Sequence, residues 1–181
     1  MNKKILGVMM ALMMTSQLFA GTFDLGITLG TEIHLFEEDF DQSKMKMAWG
    51  LSMGLNENWE LDLQSASQLI PDFFGDTTLS VLLQRTLLGQ RSTGNQIAGL
   101  GVNSLVGGGI MFSSYNNEEV YKPTHLLFSL TPITIGTPIS GKRERLVTLT
   151  LAYNLHTQQV SMLFDVIKYD FYVVGSYQDY L

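Results

Sequence analysis

Between Lys44 and Leu63 every second residue is a large apolar one, and a period of two is that of a β-strand, not of a helix. Met45, Met47, Trp49, Leu51, Met53 and Leu55 share one face, and Lys46, Ala48, Gly50, Ser52 and Gly54 share the other. After the polar tripeptide Asn56-Glu57-Asn58 the pattern resumes, with Trp59, Leu61 and Leu63 against Glu60, Asp62 and Gln64. So short a connection makes the two strands antiparallel neighbours. With Leu55 facing Trp59, Gly54 faces Glu60 and Ser52 faces Asp62, so a small residue opposes each large charged one. Such a face suits a narrow, enclosed polar interior rather than an open solvated surface.

The same alternation recurs along the chain. Phe23, Leu25, Ile27 and Leu29 alternate with Asp24, Gly26, Thr28 and Gly30 in a first strand. A fourth, from about Thr77 to Leu87, puts Leu79, Val81 and Leu83 on its apolar face, where Arg85 breaks the rule: either it snorkels from a strand end or a bulge resets the parity. A long fifth strand sets Ala98, Leu100, Val102, Val106, Ile110 and Phe112 against Gly99, Gly101, Asn103, Gly107 and Gly109. The sixth, from about Thr124, meets Pro132, which a central strand tolerates only at a bulge or an edge. Gly141 to Arg145 (GKRER) reads as a turn, Val147 to Leu155 as the seventh strand, and Val160 onward as the eighth. Parity becomes ambiguous around Lys168 to Asp170, so that strand is long, or bends, or yields to a separate element there.

Residues 1–20 have the layout of a secretory signal peptide: Lys3 and Lys4, a short apolar core, and Ala20 at the expected cut. Residues 21–181 then form one domain, large enough to bury a substantial core. There is no cysteine, so neither a disulfide framework nor a lipid-modified cysteine anchor is available. Without Lys3 and Lys4, 9 basic residues (11 minus 2) face 17 acidic ones, which argues against nucleic acid as a partner. Charged residues make up only 15% of the chain while apolar residues make up an ordinary 45%, so small and uncharged polar residues stand where a soluble protein carries Lys and Glu.

Eight neighbouring strands leave two open edges unless the first and last pair, so closure is expected: an all-β, eight-stranded antiparallel up-and-down barrel. The apolar faces run over about five alternate positions, close to the about 9–11 residues of a tilted membrane strand, and the polar faces are too poor in charge to meet water. The expected class is a transmembrane β-barrel with lipid outside. In this pattern the chain resembles the small eight-stranded outer-membrane barrels, of the OmpX, OmpW and OmpA transmembrane-domain kind. The resemblance spans Thr22 to about Tyr177 and concerns architecture; Phe23, Trp59, Phe112, Tyr121, Tyr153 and Phe171 suit that family's interfacial girdles. It implies the outer membrane of a diderm bacterium, a monomer, and membrane lipid as the surrounding partner. The chain departs from the family at Tyr180-Leu181, where such barrels end in an aromatic residue.

Lys46, Glu60, Asp62, Asn103 and Asn154 are expected inside the barrel as paired or hydrated groups. With the N-terminus periplasmic, Phe36 to Lys44, Leu69 to Asp76, Ser113 to Pro123 and His156 to Gln159 are outside, and Tyr115, Glu118, Glu119 and Tyr121 are the candidate contacts for an extracellular partner. Asn56 to Asn58, Gly89 to Asn95 and Gly136 to Glu144 are then periplasmic turns. No metal, cofactor or catalytic constellation is expected. His34, His125 and His156 are scattered, and His125 and Ser129 lie about 13 Å apart along one strand, beyond hydrogen-bond reach. The glycines around Gly99 to Gly109 lack the spacing of a phosphate loop and suit close packing. The expected function is structural or loop-mediated; the alternatives are a soluble periplasmic lipocalin-like carrier of an apolar ligand and, third, a small channel or lipid-modifying enzyme.

Overall fold

A computed structural model of the chain describes residues 23–35, 45–68, 77–113 and 123–175. The candidate loop residues Tyr115, Glu118, Glu119 and Tyr121 and the signal segment lie outside the described residues. The strands are β1 (Asp24–Leu35), β2 (Met45–Gly54), β3 (Trp59–Gln68), β4 (Thr77–Thr86), β5 (Asn95–Ile97), β6 (Leu100–Ser113), β7 (His125–Thr137), β8 (Lys142–Asn154) and β9 (Val160–Gly175). Each long strand pairs antiparallel with its neighbour, β4 pairs with β6, and β1 pairs with β9. The result is a closed eight-stranded barrel, with the three-residue β5 folded back on β6 in a turn.

Asp24 pairs with both Gly54 and Gly175, so this end of the barrel, called lower here, carries the outer ends of β1 and β9 and the turns after β2, β4 and β7. In the first hairpin Gly54 lies opposite Glu60 and Ser52 opposite Asp62. Around the ring the polar face points inward. Large apolar side chains such as Trp49, Phe128 and Leu151 are 51%, 55% and 48% exposed on the outside, while Lys46, Glu60 and Arg145 are buried. The inward apolar residues Leu82, Met111, Leu127, Ala152 and Leu163 form one small cluster packed on itself. A lipocalin-like carrier requires the opposite polarity, an apolar interior open to a ligand.

Three strands change parity at one level. In β7 Pro132 and Ile133 both face outward between the buried Thr131 and Thr134, the bulge that proline requires. In β8 Val147 has a φ of 55°, and the inward set changes from Arg143 and Arg145 to Thr148 and Thr150. In β9 Val166 and Ile167 both turn outward between Asp165 and Lys168, and the β1 register shifts there. This corrects two sequence expectations. The GKRER stretch is mostly strand, with only residues 138–141 left as a turn, and the ambiguous parity near Lys168 marks one long bulged strand. The outward-facing Arg85 comes from no bulge: it sits at the lower end of β4 with its guanidinium 5.8 Å from the Trp59 ring centroid.

Two glycines in β6 test how tightly the wall is packed. A Cβ on the inward-facing Gly109 would lie 2.9 Å from Leu82 Cα and closer still to the Val81 carbonyl. On the outward Gly108 it would meet only the Leu127 oxygen, at 3.4 Å. Gly109→Ala is therefore expected to lower unfolding stability by about 1–3 kcal/mol through overpacking, with Gly108→Ala near neutral. Equal unfolding midpoints for both variants and the parent would refute this.

Candidate functional site: the charged barrel interior

The interior is built from alternate residues of β1, β2, β3, β8 and β9, and its ionised side chains fall into three tiers. At the lower mouth the turn between β4 and β6 folds across the opening. Arg91 is fully buried there, paired with Asp24, and its Nε donates to the Asn56 carbonyl at 2.8 Å. Glu57 Oε2 accepts from the Ser92 amide and hydroxyl at 3.1 and 2.6 Å, so the two lower turns are fastened to each other. Burial lowers the Arg91 pKa, but the hydrogen bond and charge of Asp24 and the charge of Glu60 more than offset it, leaving it above its ordinary value.

The middle tier spans the barrel. Around the ring β8 and β3 are diametrically opposite. Arg143 on β8 donates from Nη1 and Nη2 to the two Glu60 oxygens on β3 at 2.8 and 2.9 Å, a forked pair. Arg145, one turn of the pleat further, makes the same kind of fork with Asp62. Asp170 on β9 bridges them: its Oδ2 accepts from Nε of Arg143 and of Arg145, each at 2.8 Å, and its Oδ1 accepts from Thr28. Gln84 on β4 adds an acceptor for Arg145 at 3.0 Å.

In the upper tier Lys168 Nζ lies 2.8 Å from Asp165 and donates to Gln64 Oε1 at 2.7 Å. Gln64 Nε2 in turn donates to Glu32 at 3.0 Å, and Glu32 lies 2.7 Å from His34 Nε2. Lys46 stands opposite Glu32 in the β1–β2 register. Among the described residues Asp24, Glu32, Glu60, Asp62, Asp165 and Asp170 set six buried carboxylates against the five cations Lys46, Arg91, Arg143, Arg145 and Lys168, with His34 beside Glu32. So near a balance is what burying many charges demands.

Of the interior residues expected from sequence, Lys46, Glu60, Asp62 and Asn103 are buried, Asn103 with its amide against the turn backbone at Leu88 and Gln90. Asn154 is not an interior group. It is half-buried at the upper end of β8, where its Oδ1 accepts from the His156 and Thr157 amides and caps the turn. Sequence reasoning missed Arg91, Arg143 and Arg145, the cations that hold Asp24, Glu60 and Asp62. Alternation within Lys142-Arg143-Glu144-Arg145 is the one signal that would have found two of them.

The arrangement cross-links opposite walls of the barrel. Ser129 Oγ accepts from Thr150 at 3.1 Å, and His125 Nδ1 lies 2.9 Å from Thr124 Oγ1. Among the described residues no group of three His, Asp or Glu side chains is arranged to hold a metal ion.

No protein-family model matches the chain, and neither does any curated protein. A search of solved structures finds similarity to Ail, the attachment invasion locus protein of Yersinia pestis, at 10% identity and a TM-score of 0.42, over 84% of this chain and 98% of that one.

Proposed function

We propose that this protein is a non-enzymatic outer-membrane barrel whose interior is closed by its own charged side chains, and which acts as a membrane scaffold or through the loops at its upper end. The observation that carries this reading is the inverted polarity: large apolar side chains cover the outside, and paired charges fill the inside. In water that surface would expose far more contiguous apolar area than a soluble monomer tolerates. In lipid it is the ordinary arrangement, because a closed barrel satisfies every backbone group within the wall. The outward charged positions on the described strands are Arg85, Lys142 and Glu144, all at the lower end, where headgroups rather than acyl chains would meet them. The forks from β8 to β3 cross the lumen at the height of Glu60 and Asp62, which favours a plug over a pore.

The test is the gel mobility of the mature chain refolded into detergent micelles, with and without boiling, together with conductance in planar bilayers. A heat-dependent shift without conductance is expected. Full solubility in plain buffer with no shift would reverse the membrane reading, and steady channels would reverse the plug. A graded version uses charge on the lipid face. Leu149, in the middle of β8 between Leu130 and Phe164, and Val102, near the lower end between Asn95 and Ile135, both face outward. Leu149→Arg is expected to cost about 2–4 kcal/mol and to block assembly, and Val102→Arg only about 0–1 kcal/mol. Equal assembly of the two variants would contradict a membrane normal running along the barrel.

A further inference from the structure

A groove of about 360 Å³ opens on the outer face at the lower end, between the β5–β6 hairpin and the turn joining β7 to β8. Its floor is apolar, with Leu100 and Ile139 53% and 39% exposed and Ile135 beside them. Its rim carries one cation and one anion, Lys142 and Glu144, whose Nζ and Oε1 are 2.7 Å apart. The Lys142 ammonium also stands 4.8 Å from the Tyr169 ring centroid, which keeps it at the rim. The other outward charge on the described strands, Arg85, is on β4, away from this groove.

We propose that this groove binds a single zwitterionic glycerophospholipid with a phosphoethanolamine headgroup. This rests on the lipid-embedded reading above. The charge pattern selects the occupant: Lys142 matches the phosphate, Glu144 matches the ammonium, and the apolar floor takes the first part of an acyl chain. Gln96 also lines the groove; its Nε2 donates to the Thr93 carbonyl at 2.7 Å, which leaves its second N–H for an ester carbonyl. An anionic headgroup without an amine would meet Glu144 as a like charge, and a lipid without phosphate would leave Lys142 to Glu144 alone. Opening the Lys142–Glu144 pair to admit the headgroup costs little, because a pair this exposed contributes little to stability. The headgroup replaces it with two pairs of the same kind. Ile97, which pairs with Leu100 and is 58% exposed, extends the apolar surface beside the groove.

The experiment is native mass spectrometry of the refolded barrel in mild detergent, offered equal amounts of phosphatidylethanolamine and phosphatidylglycerol, with the parent, Lys142→Gln and Glu144→Gln compared. All three first have to show the heat-dependent gel shift, which reports the fold independently of lipid. The parent is expected to retain one phosphatidylethanolamine in preference to phosphatidylglycerol. Glu144→Gln is expected to erase that preference, and Lys142→Gln to lower retention of both lipids, each by about two- to fivefold, the range of an exposed ion pair. A shifted barrel that retains no lipid, or that retains both equally in all three proteins, overturns the groove assignment and leaves the membrane reading standing. A parent with no heat shift that is soluble in buffer overturns both.

Discussion

Replacing Arg145 by methionine is expected to lower unfolding stability by about 3–5 kcal/mol, because it leaves buried carboxylate without its cation. Asp62 is held by the Arg145 fork, and Asp170 and Gln84 also lose a donor when the guanidinium is removed. With Arg145 gone, six buried carboxylates among the described residues would face four cations, and charges buried this deeply are poorly screened. Removing the partner as well should reverse most of the loss. Arg145→Met with Asp62→Leu puts two apolar side chains where the pair stood, and such replacements are often neutral or better. Asp170→Asn makes the internal comparison: although it touches both arginines, each keeps its own fork to Glu60 or Asp62, so a smaller cost than that of Arg145→Met is expected. Urea midpoints of the four proteins in detergent give the answer. A single variant as stable as the parent, or a double variant worse than the single, would mean that the middle tier is not what binds β8 to β3.

The legibility of this chain follows its parity. From Asp24 to Thr86 no strand carries a bulge that reverses its faces, so counting by twos from Met45 predicts the side that each residue takes through β2, β3 and β4, including the anomalous Arg85. Closure was legible for the same reason: a run of neighbouring strands has no other way to remove its edges. Lys46, Glu60 and Asp62 could be read as interior groups because they sit in an unbroken alternation. The other buried charges could not. Arg143 and Arg145 stand in a cluster of charges beside Gly141, which locally has the composition of a solvated turn, and their inward direction holds only on the lower side of Val147. Arg91 belongs to a true turn between β4 and β6, and only the docking of that turn on Asn56 and Glu57 shows it buried. Asn154 was misread in the other direction: it continues the inward parity of Thr150 and Ala152, but the strand ends there and the local turn claims its side chain.

Changing Val147 to glycine is expected to leave stability unchanged or raise it, and deleting the residue is expected to leave the arginine forks in place. At a φ of 55° a β-branched residue is strained, by about 1–3 kcal/mol on the usual scale of such outliers, and glycine relieves that strain. Leu146 and Val147 both face outward between the buried Arg145 and Thr148, so Val147 is the extra residue of a bulge. Without it strict alternation still points Arg143, Arg145, Thr148, Thr150 and Ala152 inward, and Glu60, Asp62 and Asp170 keep their cations. What the deletion removes is the match to the flanking strands, where Pro132–Ile133 and Val166–Ile167 carry their own extra residues at the same level. Its cost is therefore one of local pairing and not of buried charge, and the barrel is expected to assemble. The comparison is read from the heat-dependent gel shift of the deletion, the glycine variant and the parent after refolding into micelles. A deletion that gives no shifted band would show that the matched bulges, and not the arginine forks, direct the register of β8.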